Sequence, residues 1–155
     1  MSQIKRIALV ATTVVLGASL VACGGGQQNL KPAKNGYMQQ KVVYHVNNLD
    51  SAYGAFRNVK NHLNALGDKN VEIIVVTHSK GAFSLVDGTK DKKGHTFEET
   101  IQKLANRGVK FQICANTIRG KKIDKNKINL NAKIIPSGVA QIADLEQKGY
   151  NYIKP

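Results

Sequence analysis

The residues best suited to do chemistry are two cysteines and four histidines. Cys114 ends a β-rich run, Val109 to Cys114, and is followed by Asn116-Thr117, a possible helix start, with Arg119, Lys121 and Lys122 close behind. Helix-start amides and nearby cations both favour thiolate over thiol, so Cys114 reads as a nucleophile of lowered pKa. The opposing reading is packing, because free cysteine is among the most buried residue types. Cys23 lies in a leader-like segment, so reactivity at Cys114 is one-cysteine chemistry. With no Cys-x-x-Cys, a disulfide scaffold, a zinc finger and a dithiol redox motif are all excluded.

The histidines divide by position. His45 and His78 stand at the ends of β-rich runs, His62 falls off the apolar stripe of a helix and reads as solvated, and His95 follows a glycine- and lysine-rich segment. No pair has metal-ligand spacing on one element, so no metal is expected. Val76-Thr77-His78-Ser79-Lys80-Gly81 approaches the Gly-x-Ser-x-Gly elbow of serine hydrolases. However, Thr77 replaces the first glycine and only His95 follows Ser79. The segment reads as a turn leaving a strand.

The elements that must position these groups alternate in period. Val42 to Val46, Val71 to Thr77, Val109 to Cys114, Ala132 to Ile135 and Tyr150 to Ile153 read as strands. Between them, Ala52, Phe56, Val59, Leu63 and Leu66 recur at helical spacing from Asp50-Ser51 to Gly67. Thr96-Phe97-Glu98-Glu99 reads as a capping box ahead of Ile101 and Leu104. Ser137 to Lys148 carries Val139, Ile142 and Leu145 before Gly149, and Thr117 to Lys127 is ambiguous between loop and short helix. Gly88 to Gly94 reads as an exposed loop over the strand ends. This rhythm predicts an α/β domain with one mostly parallel sheet and helices on both faces. Ligands of such sheets collect beyond the carboxyl ends of the strands, where His45, His78, Cys114 and Asn116 all fall. Cys114 alternates with Gln112 and Lys110, which places it on the wetter face.

Three stretches carry a family resemblance: Thr77-His78-Ser79-Lys80-Gly81, Gly108-Val109-Lys110-Phe111-Gln112-Ile113-Cys114-Ala115-Asn116-Thr117, and Pro136-Ser137-Gly138-Val139 with the ending Gly149-Tyr150-Asn151-Tyr152-Ile153. From about Lys41 onward the chain resembles the DsrE/DsrF-like family. The resemblance implies a flavodoxin-like or Rossmann-like domain that assembles into homo-oligomers. It also implies a persulfide-carrying cysteine at Cys114, rim neighbours His78 and Asn116, a sulfur donor or acceptor protein as partner, and no organic cofactor.

Residues 1–22 have a different purpose. Lys5 and Arg6 precede an apolar run ending Leu20-Val21-Ala22-Cys23-Gly24, which resembles a bacterial lipobox. The resemblance implies cleavage before Cys23 and acyl chains such as palmitate on that residue, while the run Gly24-Gly25-Gly26-Gln27-Gln28-Asn29 with Pro32 and Gly36 reads as a flexible tether over 23–40 ahead of a domain over 41–155. Several acyl chains anchor a protein in a bilayer where one binds only reversibly. The expected place is the cell envelope, on the periplasmic side of the outer membrane in a diderm cell. The chain has 23 basic and 10 acidic residues, and losing Lys5 and Arg6 leaves 21 basic ones and a net charge of +11. No groove-reading or base-stacking pattern accompanies the lysines, which argues against nucleic acid. The alternative to sulfur transfer is therefore a noncatalytic envelope module whose basic face binds anionic polymer or membrane. The lipobox predicts that the protein partitions with membranes and that Cys23→Ala abolishes this. Cell fractionation and mass spectrometry of the amino-terminal peptide check it; an unmodified, soluble wild-type protein is the contrary result.

Overall fold

Val42, Val43 and Val46 in one run and Ile73 to Val76 in another are apolar on both sides, as strands covered on both faces must be. In the computed structural model, which describes residues 30–155, these runs become β1 (Gln40–Val46) and β2 (Val71–Thr77). They pair in parallel from Gln40 opposite Val71 to Val46 opposite Thr77. Strands β3 (Lys110–Cys114), β4 (Ala132–Ile135) and β5 (Asn151–Ile153) complete an all-parallel sheet in the order β4-β3-β2-β1-β5. Residues 1–29, with the lipobox and Cys23, lie outside the described residues.

The helices are α1 (Leu49–Leu66), α2 (Glu98–Ala105), α3 (Ala115–Gly120) and α4 (Gly138–Gln147). On one face the larger core joins Val42, Tyr44, Ile73, Val75, Phe111 and Ile113 to apolar residues of α1, α2 and α3. Phe56 anchors it, its ring edge-on to Phe97 at 5.9 Å and to Phe111 at 5.5 Å. On the other face α4 alone lays Ile142 and Leu145 over Val43, Ile74, Val76 and Ile135. The chain thus runs from β1 to β4 over one face and returns to β5 over the other, so its direction of winding reverses at β1.

Several local expectations are corrected. Helix α1 is capped by Asn48, whose side chain accepts from the Asp50 N–H, and it ends at Gly67 with φ of 85°. The capping box does not form: Glu98 accepts from the Gly88 N–H at 2.5 Å and Glu99 pairs with Lys103, so both carboxylates are engaged elsewhere. Val139 is 65% exposed on the first turn of α4 and adds nothing to the core. The segment after β2 is a 3-10 helix, Ser79–Leu85, that buries Ala82 and Leu85. The ambiguous stretch begins earlier than read, as α3, and closes with a 3-10 turn at Lys125–Lys127. The Gly88 to Gly94 loop is tied down beside α1 by a Lys90–Thr96 bridge and a Lys92–Asp50 ion pair of 2.7 Å. Before β1, residues 31–39 fold back on themselves, with Gln39 N–H donating to the Lys31 carbonyl at 2.8 Å. This reversal is pinned to the end of α1 by Asn35 Nδ2 donating to the Ala65 carbonyl at 2.9 Å.

Gly81 is where the 3-10 helix crosses the end of β1. A Cβ there would lie 2.2 Å from the Val46 carbonyl oxygen, and that backbone cannot move without unpairing β1. Gly81→Ala is expected to cost about 3 kcal/mol or more of stability, measured by urea unfolding against wild type; a cost below about 1 kcal/mol contradicts the close approach.

Candidate functional site at the carboxyl rim

Strand alternation assigns the site to one face. His45 continues the row of Val43, His78 that of Val76, and Cys114 that of Gln112, all on the side covered by α4. Tyr152 lies opposite Val43 in the β1–β5 pairing and shares that face. The winding reversal at β1 is where α/β sheets open a crevice beyond their strands. His45 sits there, between Tyr152 of β5 and His78 just past β2.

Four side chains are linked in series. The Tyr152 hydroxyl is 2.6 Å from His45 Nδ1, His45 Nε2 is 2.5 Å from His78 Nε2, and His78 Nδ1 is 3.0 Å from Ser79 Oγ. Burial, then the His78 charge and then Lys154 hold His45 down to about 4. Burial and Lys154 also lower His78. Both rings are therefore neutral at pH 7, and a single proton lies on the line between the two Nε2 atoms.

Cys114 is only 4% exposed, which corrects its expected position on a wet face. Burial pushes its thiol up, but hydrogen bonds from the Gly138 N–H, the Thr117 N–H and hydroxyl and the Asn116 N–H outweigh that and leave it below the ordinary thiol value. The Arg119 guanidinium does not supply this effect; it is hydrogen-bonded to Asn116 Oδ1. Asn116 thus serves the sulfur through its backbone while its exposed side chain faces Arg119. Gly138 brings the parts together. A Cβ on it would lie 3.1 Å from His78 Cβ and Cδ2 and 3.4 Å from Cys114 Cβ, so a side chain there would have to press the histidine aside by a few tenths of an ångström for α4 to start against both.

The structure gathers His45, His78, Cys114 and the Asn116 backbone, and leaves the other two histidines elsewhere. His95 stacks on Tyr53 at 4.7 Å and contacts Asp91 at 3.0 Å. His62 is not solvated: it bridges the Tyr44 hydroxyl at 3.0 Å and Gln40 Oε1 at 2.7 Å, and burial lowers it. Among the described residues no group of three or more His, Cys, Asp or Glu is arranged to hold a metal ion. Tyr152, Thr117 and Gly138 are site residues that reading by residue type passes over. Their signal is positional: Thr117 follows Cys114 by three, and Gly138 opens a helix right after a strand end.

A parallel sheet with a buried, amide-cradled thiol and a neutral histidine pair at its carboxyl rim defines a small Rossmann-like domain centred on one cysteine. The chain belongs to the DsrE/DsrF-like family, whose model matches residues 40–155. Its fold is similar to that of a protein of unknown function, MTH1491 from Methanobacterium thermoautotrophicum, with TM-score 0.66 and 27% identity over 76% of this chain and 100% of that one. It is likewise similar to the ychN protein from E. coli, with TM-score 0.63 and 15% identity over the same shares of the two chains. No curated protein matches the chain.

The neutral histidines have a consequence for stability. A histidine whose folded pKa lies below its unfolded value of 6.5 contributes fully above pH 6.5, and the contribution is lost as pH falls toward the folded value, about 4 for His45. The melting temperature is expected to fall across that window, and His45→Gln to flatten the fall by on the order of 1 kcal/mol once solvent screening of the partly exposed ring is allowed for. Thermal melts at half-unit pH steps measure this; a wild-type stability that rises on acidification to pH 5 contradicts it.

Proposed function

We propose that this protein is a single-cysteine sulfur carrier, held in the cell envelope by lipid on Cys23, which receives and hands on sulfane sulfur as a persulfide of Cys114. The observation that carries the reading is the cradle of three backbone N–H groups and one hydroxyl around a buried sulfur. Donors fixed in position around a thiolate stabilise the nucleophilic form without needing solvent. In loading, the Cys114 thiolate attacks the outer sulfur of a persulfide R–S–SH. The Sγ–S bond forms, the S–S bond of the donor breaks with its electron pair going to R–S⁻, and the departing thiolate takes a proton. One neutral sulfur atom changes owner, so the step needs no external oxidant or reductant and no organic cofactor.

Lys154, whose charge reaches both rim histidines, favours an anionic donor or acceptor. A self-associated form is supported by Leu130 at 99% exposure and Ile134 at 43%, both along the β4 edge of the sheet. The competing use, a basic envelope module for anionic polymer, rests on the net charge and leaves Cys114 as packing. Alkylation of Cys114 is expected to show a pH midpoint below about 8.5. Incubation with polysulfide is expected to add one sulfur atom by mass, and Cys114→Ser to remain folded yet take none. A thiol that alkylates only on unfolding and gains no sulfur overturns the carrier reading in favour of the binding module.

A further inference from the structure

The backbone at Ser79 is unusual, because the residue is not glycine and yet takes φ of 52°, in the left-handed region. Such a conformation at the end of a strand costs free energy and persists where the surroundings require it. Here it turns the residue so that two contacts form at once. The Ser79 N–H donates at 3.0 Å to Thr117 Oγ1, the hydroxyl that also bonds the Cys114 sulfur, while Ser79 Oγ meets His78 Nδ1. Ser79 is therefore joined to the sulfur through the Thr117 hydroxyl and begins a run of hydrogen bonds that ends at Tyr152, 41% exposed on the last strand.

We infer that Ser79, His78, His45 and Tyr152 form a reversible proton wire that delivers the proton taken by the sulfur leaving group. The inference rests on the carrier reading and adds to it the origin of that proton.

Both ends of the wire are hydroxyls, and a hydroxyl can donate or accept. A carboxylate at either end would hold the adjacent imidazole in one orientation and charge it. Among the described residues none is hydrogen-bonded to His45 or His78. Two proton arrangements fit the same heavy atoms. In one, Tyr152 donates to His45, His45 to His78, and His78 Nδ1–H to Ser79. In the other every hydrogen bond is reversed.

Delivery starts from the first arrangement. The Ser79 hydroxyl gives its proton to the departing R–S⁻, His78 Nδ1–H restores the hydroxyl, His45 Nε2–H reprotonates His78 at Nε2, and the Tyr152 hydroxyl reprotonates His45 at Nδ1. Tyr152 recovers a proton from water. Each group loses one proton and gains one, and one proton has passed from solvent to leaving sulfur. In this wire Ser79 is the group that hands on the proton, and the other three act through it.

The test compares the wild type with Tyr152→Phe and His45→Gln in rates of Cys114 loading from small persulfides whose leaving thiols range from acidic aryl to basic alkyl. Basic leaving thiols need the proton most, so the expected result is a rate at least about tenfold lower with alkyl donors and a steeper dependence of rate on leaving-thiol pKa. Alkylation of Cys114 by iodoacetamide transfers no proton to a leaving thiolate, and its rate should stay within about twofold. Unchanged dependence in both variants overturns the wire and leaves the carrier standing. Equal slowing with every donor, with alkylation slowed too, also overturns it by showing a structural effect. A wild type that accepts sulfur from no donor overturns the carrier and the wire together. If His45→Gln does not fold, Tyr152→Phe alone decides, since it removes one hydroxyl from a partly exposed ring.

Discussion

A slip of one residue between β1 and β2 would move His45 to the opposite face of the sheet and dissolve the site. Side chains alternate with a period of two, so the register of this pair decides which residues share a face. It is fixed by what lies on each side: Val42, Tyr44 and Val46 belong to the larger core and Val43 to the smaller one. A one-residue slip would exchange the two sets between the faces. The apolar residues of the strand interiors thereby determine where the polar residues at the strand ends come together.

The rim places two opposite electrostatic demands a few ångströms apart. The histidine pair is kept uncharged by burial and by a neighbouring lysine, whereas the cysteine is drawn toward its anion by hydrogen-bond donors. Backbone N–H groups reconcile them. They stabilise a thiolate without adding a full charge that would act on the imidazoles, which an arginine or lysine in direct contact with the sulfur would do. That is why Arg119, turned to Asn116, is compatible with both.

Much of this was legible in the sequence because strand ends are marked by period and by β-branched residues. Those cues located His45, His78 and Cys114 on one rim and foresaw the parallel sheet with helices on both faces. Misreadings came where a residue's partner lies far along the chain. His62 looks solvated on its own helix but meets Tyr44 and Gln40 of β1. Cys114 alternates with polar neighbours, yet the start of α4, some two dozen residues on, covers it. The capping box fails for a nearer reason: Lys103, one turn on, takes the Glu99 carboxylate. Tyr152 gives no local sign at all, since its use depends on β5 returning to the side of β1.

The reversal of residues 31–39, pinned to the end of α1, brings the polypeptide in at the amino-terminal pole of the sheet. The thiol and histidines occupy the other pole, roughly 20 Å away along the length of a seven-residue strand. The chain therefore enters the domain at its back, and the rim with Cys114 lies at the far end, as a lamp does at the top of its post. The whole length of the sheet separates Cys114 from the point where the chain comes in.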